Sequence, residues 1–353
     1  MSHGSHRLVF MNQTGYGQKE VIVRGKPATE ASIVIVVLWG ILFLSMLAVA
    51  CTGYVRPQLG LALRLNDRAQ RIAVAKAGVQ QTMWNMAHTA TGAFLTLNAC
   101  WTQNGGCFSN LLPVGKGVCA ILAPPDATAS ETNPVYGLVD EERKLNINTA
   151  SNTMLERLVA LVGGITSQQA AEVACAIVDW RDADGESMAL GTENSYYATL
   201  HPSYACKNKP FESMDELLLV KGVSQVLFQK IASRLTVYGR GTLNINTAEA
   251  CMLQCAGASE ESIASIVAFR RGKDGLVETA DDGVFSNKAQ IVSLLSTDQM
   301  LSSADRAGLA RILDVRSDCF GGRCVARLNG KQPETVVDFV FGLDGKIRYW
   351  REH

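Results

Sequence analysis

Residues 31–51 read ASIVIVVLWGILFLSMLAVAC, 21 positions without a charged side chain, in a run that stays uncharged to Val55 before Arg56 ends it. At about 1.5 Å per helical residue, such a segment covers the roughly 30 Å of a bilayer's hydrocarbon core. Residues 31–55 are therefore read as a transmembrane helix. A buried helix of a large soluble domain is the competing reading, but core helices rarely avoid every charge for so long. What flanks this helix decides topology and compartment.

Residues 1–30 are polar and aperiodic and read as a leader. They carry Arg7, Lys19, Arg24 and Lys26 against Glu20 and Glu30. A basic flank stays cytoplasmic and sends the C-terminal side across the membrane. The chain has 33 basic and 33 acidic residues in all, which leaves 29 against 31 after the leader, no electrostatic footprint for nucleic acid. Nine of the ten cysteines (100, 107, 119, 175, 206, 251, 255, 319 and 324) follow Cys51, as suits an oxidising compartment. Cys319 and Cys324 bracket Phe-Gly-Gly-Arg and are the best local disulfide candidate. Cys251 and Cys255, at i,i+4, have poor geometry for one. Nine is odd, so at least one thiol stays outside any pairing within this set.

Beyond Pro57, which should kink or end the first helical part, Leu65, Ile72, Val79 and Met86 recur every seven residues, with Ala69 and Met83 beside them. This predicts an amphipathic stalk of about 30 residues. Residues 98–134 read as loop with a short strand at Val118–Leu122. Val135–Leu145 reads as a strand followed by a charged bend. Then LNINTA occurs twice, at Leu145–Ala150 and Leu243–Ala248. Each copy runs extended and offers Asn and Thr as helix N-caps. Predicted helices are Met154–Val162 and Gln168–Trp180 across Gly163-Gly164, then Glu249–Ala256 and Ser262–Arg270 across Gly257. Two further helices surround Gly222, and FSNKAQIV onward supplies their counterpart. Helix–hairpin–helix units used twice predict one all-helical body. The tail, Gly322–Leu328, Thr335–Phe341 and Lys346–Trp350, predicts a three-stranded antiparallel meander. The fold class is α+β: leader 1–30, membrane helix 31–55, stalk and first α/β part 56–144, inserted helical domain 145–318 (its strand near 235–239 returning to the α/β domain), and β-meander 319–353.

One cluster suggests chemistry. Asp179, Asp182, Asp184 and Glu186 surround Gly185, with Glu193 and Asn194 following; alternate carboxylates before a glycine turn suit calcium. The frame is not an EF-hand, because a sixth-position Gly185 would put Trp180 first and Gly191 twelfth. A solvated acidic loop is the alternative. Asp274, Asp281 and Asp282 form a thinner version. No histidine lies near a nucleophile pattern and LVGGIT lacks phosphate-loop spacing, so the chain is not read as an enzyme. A membrane-anchored helix–hairpin–helix DNA-binding protein of a DNA-uptake or type IV pilus-like system is the rival function. The turns Val-Gly-Gly-Ile, Lys-Gly-Val-Ser and Ala-Gly-Ala-Ser each fall short of the apolar-Gly-apolar-Gly form that grips a phosphate.

The stretches IVIVVLWGILFLSMLAVA (33–50), VYGLVDEERKLNINTA (135–150), IVDWRDADGE (177–186), ENSYY (193–197), KPFESMDELLLVKGVS (209–224) and LNINTAEA (243–250) resemble the general secretion pathway protein K family, the large minor pseudopilins of the type II secretion system. The resemblance implies a single-pass inner-membrane protein with a periplasmic pilin-like domain. It also implies prepilin-peptidase processing, an inner-membrane secretion platform as partner, and a place beside other minor pseudopilins at the pseudopilus tip. Asp182, Asp184 and Glu193 match the family's calcium-binding acidic region; Asn194 stands where aspartate is usual. Pseudopilin precursors carry glycine before the apolar run, where this chain has Ala31. Cleavage after Ala31 makes Ser32 first and the neutral Val36 fifth, as in this family, whereas cleavage after Gly25 would make Glu30 fifth. Val36 and Pro57 are then the assembly positions of the helix.

Overall fold

The computed structural model describes residues 29–89, 108, 111–114, 117–124, 135–276, 279, 281–328 and 333–353. Residues 1–28 of the expected leader, Cys100 and Cys107 lie outside them. The chain divides into two units, one ending at Arg64 and one beginning at Leu65. A helix, α1, runs Thr29–Thr89 and includes Ala31, Ser32 and Val36. It passes through Pro57 without terminating there, contrary to one of the two outcomes expected at that residue. A helix-interior proline costs one backbone hydrogen bond, which does not by itself break so long an element.

In the first unit the apolar side chains from Ile33 to Leu63 are exposed, Trp39 by 71% and Val36 by 67%. One helix among the described residues is long and apolar enough to cross a membrane, and it is this one. Its length and composition fit a single-pass anchor.

The second unit holds two apolar cores. In the first, α1 buries Val74, Ala75, Val79 and Met86 against Ile121, Leu138, Phe320, Phe339 and Phe341. The buried face begins at Arg71; of the seven-residue series, Val79 and Met86 are buried and Ile72 half-buried, whereas Leu65 is 57% exposed. Gly78 lets the helix close on the sheet: a Cβ there would lie 2.2 Å from the Cys119 Sγ.

The sheet comprises β1 (Leu111–Val114), β2 (Gly117–Leu122), β3 (Val139–Asp140), and three tail strands. These are β8 (Cys319–Leu328), β9 (Thr335–Gly342) and β10 (Ile347–Glu352), the meander expected from the sequence. The order is β1-β2-β8-β9-β10, antiparallel throughout, and β3 also pairs with β8. Cys319 and Cys324 are both thiols on β8 and are not bonded to each other. Five residues apart on a strand, they point to opposite faces. The local disulfide expected between them is thus corrected.

Between β3 and β8 stands the body around the second core. Its helices are α2 (Asn152–Gly163), α3 (Ser167–Arg181), α4 (Asn194–Tyr197), α5 (Gln225–Ile231), α6 (Ala250–Ala256), α7 (Glu260–Arg270), α8 (Lys288–Thr297) and α9 (Ser303–Ile312). It is not all-helical. Leu145–Asn146 (β4) pairs in parallel with Leu235–Thr236 (β5), and Leu243–Asn244 (β6) pairs likewise with Leu313–Asp314 (β7). The strand near 235 therefore stays within this body instead of joining the main sheet.

The two LNINTA copies do the same mechanical job. Asn146 and Asn244 each accept from the backbone N–H two residues on, at 2.9 and 3.0 Å. Asn148 grips Phe211 through both its backbone N–H and C=O (2.7 and 3.0 Å), and Asn246 grips Phe285 in the same way (both 2.9 Å). The repeat's Asn and Thr are not helix caps. Ser151 caps α2, and Glu249 precedes α6 without a side-chain cap. All four asparagines are committed elsewhere, Asn148 and Asn246 to the phenylalanines, Asn146 to the Tyr238 carbonyl and Asn244 to Asp140 and Ser317, which takes their amides away from the helix ends.

The charged bend after β3 is the root of this body. Asp140 is fully buried, and its Oδ2 accepts from Ser317 (2.6 Å), Thr247 (2.6 Å) and Asn244 (3.1 Å). Glu142, also buried, accepts from the backbone N–H groups of Asp318 and Cys319. Burial, with the nearby Asp140, pushes Glu142 up to about 8. Burial raises Asp140 too, against the hydrogen bonds that lower it. A carboxyl raised on folding holds its proton longer in the folded state, so its stabilisation is complete below the unfolded value and lost as pH rises through the folded one. Stability of the unit from Leu65 is expected to fall between pH 5 and 8, by up to about 1.4 kcal/mol per pH unit for one proton. Denaturant titrations across that range check it, and Glu142→Gln should flatten the slope.

Candidate metal centre

Helix α3 delivers the acidic region. Thr166 caps it in a reciprocal box with Gln169, and its last turn carries Asp179 before Asp182 ends it in extended conformation. Asp179 is fully buried and folds the following loop back: it accepts from Ser187 Oγ (3.2 Å), from the Met188 N–H, and from the Thr192 N–H at 2.6 Å. Gly191 is needed here, because a Cβ would fall 2.0 Å from the Asp179 carboxylate. Asp179 is thus a loop organiser. Trp180 closes the inner wall, edge-on to Tyr197 at 5.2 Å and to Tyr204 at 6.2 Å.

The fold-back brings three carboxylates together. Asp182, Asp184 and Glu193 each offer an oxygen, all within 4.8 Å of one another. Glu193 is 6% exposed, and neither of its oxygens has a hydrogen-bond partner by geometry. Asp182 Oδ1 is likewise buried and unpartnered. Burial and then the charges of Asp184, Asp179 and Glu193 push Asp182 up to about 6. Burial raises Glu193 as well, despite the neighbouring Cys206 and Asn208 side chains. Buried carboxylate oxygens without donors are costly unless a cation satisfies them. The all-oxygen donor set fits a hard divalent ion.

Asn194 does not join the triad: its Oδ1 accepts from the Cys206 N–H at 2.7 Å. Glu186 is exposed. Asn208, which sequence reasoning passed over, stands at the site with φ 46°. Its amide donates to the Asp184 carbonyl, while its own Oδ1 is buried and unpartnered. An asparagine between Lys207 and Lys209 in a turn-rich stretch was the available signal, since asparagine tolerates left-handed backbone.

The cluster in the second copy is different in kind. Asp274, Asp281 and Asp282 also converge. Asp281 is turned onto its own loop, accepting from the Lys273 and Asp274 N–H groups and from Thr279 Oγ1. Those donors hold it below the usual carboxylate range, the Thr279 hydroxyl first. The oxygens here are already served by protein.

An antiparallel sheet under a long N-terminal helix, with a mainly helical body set between two of its strands, defines an α+β protein whose apolar helix fits a membrane anchor. Residues 134–240 match the family model described as Type II secretion system (T2SS), protein K. Over those residues the chain is similar to that family. It is 31% identical over 192 residues to the type II secretion system protein K of Aeromonas hydrophila, covering 52% of this chain and 54% of that one. The relative from Pectobacterium carotovorum is 27% identical over 146 residues, 41% of this chain and 43% of its own. The chain thus matches about half the length of these curated relatives. A solved structure of the GspK-GspI-GspJ complex from enterotoxigenic Escherichia coli matches with a TM-score of 0.58 at 16% identity, over 84% of this chain and 98% of that chain, a likeness of fold.

Calcium at a hundredfold excess over its dissociation constant is expected to stabilise the unit from Leu65 by about 2.7 kcal/mol. Melting with calcium against chelator checks this, and Asp182→Asn with Asp184→Asn should abolish the gain.

Proposed function

We propose that this chain is a minor pseudopilin of the type II secretion system. It assembles at the tip of the periplasmic pseudopilus with other minor pseudopilins and supports export of folded proteins across the outer membrane. Likeness to the protein K family over residues 134–240, and to the relative from Aeromonas hydrophila, carries the reading. The fold supports it, since a lipid-length apolar helix continues directly into the helix that packs the sheet. The relative seen with GspI and GspJ suggests partners of the same kind here. The basic leader supports a cytoplasmic N-terminus and a periplasmic body, with the inner-membrane secretion platform as partner and the prepilin peptidase acting at Ala31 and Ser32.

Position in the filament follows from charge and bulk. With Val36 fifth after cleavage, the helix lacks a carboxylate to neutralise a neighbour's terminal amine within lipid. The large body between β3 and β8 leaves little room for a subunit above. Both features suit an end position. Calcium held by Asp182, Asp184 and Glu193 would brace the loop after α3, supplying charge neutralisation and no reaction chemistry.

The DNA-binding alternative is not favoured. Gly163, in the first hairpin turn, is packed where a Cβ would lie 2.5 Å from Leu227, and its carbonyl accepts from Lys230 at 3.0 Å. That turn is occupied by protein contacts.

Deleting the gene should leave secreted substrates folded in the periplasm and absent from the medium, with inner-membrane translocation intact; unchanged export would defeat the proposal. N-terminal sequencing of the membrane-extracted protein should return Ser32 first and Val36 fifth.

A further inference from the structure

The sheet face beneath α1 holds two cysteines from strands far apart in sequence. In the β2–β8 register, Cys119 lies opposite Ala326 and Ile121 opposite Cys324, so the two cysteines are diagonal neighbours on one face. Diagonal neighbours are typically about 7–8 Å apart at Cα, and sheet twist changes that separation. Here their thiols are in hydrogen-bonding contact, with Cys324 raised and Cys119 lowered by it. Both are buried, at 2% and 0% exposure. Gly78 of α1 makes the space: its missing Cβ would be 2.2 Å from one sulfur and 4.0 Å from the other. Cys319 points to the opposite face, and Cys175, Cys206, Cys251 and Cys255 belong to the helical body.

We propose that Cys119 and Cys324 form a disulfide that staples β2 to β8 across the root of the inserted body. The bond would join the strand before the insertion to the strand after it. The sheet would then stay closed while the body between them moves or bears load. In formation, the Cys119 thiolate attacks a sulfur of a disulfide-containing oxidoreductase or of an oxidised small thiol, displacing one of its sulfurs as thiolate. Cys324 loses its proton and attacks the Cys119 Sγ, releasing the second. Two protein thiols and one donor disulfide become one protein disulfide and two donor thiols, so atoms and electrons balance. Because α1 buries both sulfurs, the exchange takes place before the helix docks.

In the cell the bond rests on the periplasmic placement proposed above. The pairing itself is tested apart from it. The full chain in detergent is refolded to equilibrium in a reduced and oxidised glutathione buffer, acid-quenched, alkylated and digested without reduction. Mass spectrometry should find the peptides of Cys119 and Cys324 joined, and Cys119→Ser should remove that species. Alkylation of both residues, or either one linked to another cysteine, would overturn the proposal. Reductant should also lower the melting midpoint of the oxidised chain and leave that of Cys119→Ser unchanged; equal shifts would count against the staple. Chain from cells showing both thiols reduced, with the equilibrium link intact, would sink the periplasmic placement and leave the pairing standing.

Discussion

The unit from Leu65 depends on one buried carboxylate. Asp140 ends the short strand β3 and takes hydrogen bonds from the repeat (Asn244 and Thr247) and from the approach to the tail sheet (Ser317). A carboxylate out of water is costly unless nearly all its lone pairs are used. That cost makes the arrangement specific: only the correct closure of a chain segment about 175 residues long brings all these donors to it. Glu142 repeats the device two residues on with the Asp318 and Cys319 amides, and Glu141 accepts from Thr236 at 2.6 Å and Lys144 at 2.7 Å. The body is thus tied at its root by polar groups that leave no tolerance for slippage.

Within the body the same logic recurs as a repeat. Each LNINTA copy spends its second asparagine on backbone groups of a distant phenylalanine, and an arginine from the second helix after it reaches back to the copy's carbonyls. Arg181 serves Ile147 and Ala150, and Arg270 serves Ala248. The copies diverge where the chain leaves that arginine. After Arg181 the loop turns carboxylates toward one another with oxygens left over, and after Arg270 the loop satisfies its own aspartates. One scaffold therefore presents a loop with unpartnered buried carboxylate oxygens once and a self-contained loop once.

The sequence by itself determined a helix long and apolar enough to cross a membrane, the two LNINTA copies, the helices that follow them and the tail meander. Each is announced by local chemistry: an uncharged run, identical hexapeptides, glycines at left-handed helix ends such as Gly164 and Gly257, and alternating apolar strands. It also determined the acidic triad, because Asp182, Asp184 and Glu193 lie close along the chain. What only the tertiary structure decided are the long-range partners. DEE at 140–142 reads as a charged bend, and LNINTA reads as a cap, until Ser317 and Phe211 arrive from far along the chain. Cys324 reads as the partner of Cys319 until strand pairing turns it toward Cys119. Side-chain direction in a sheet alternates with each residue, so nearness in sequence and nearness in space part company there, and register, which is a property of the whole fold, decides which sulfur meets which.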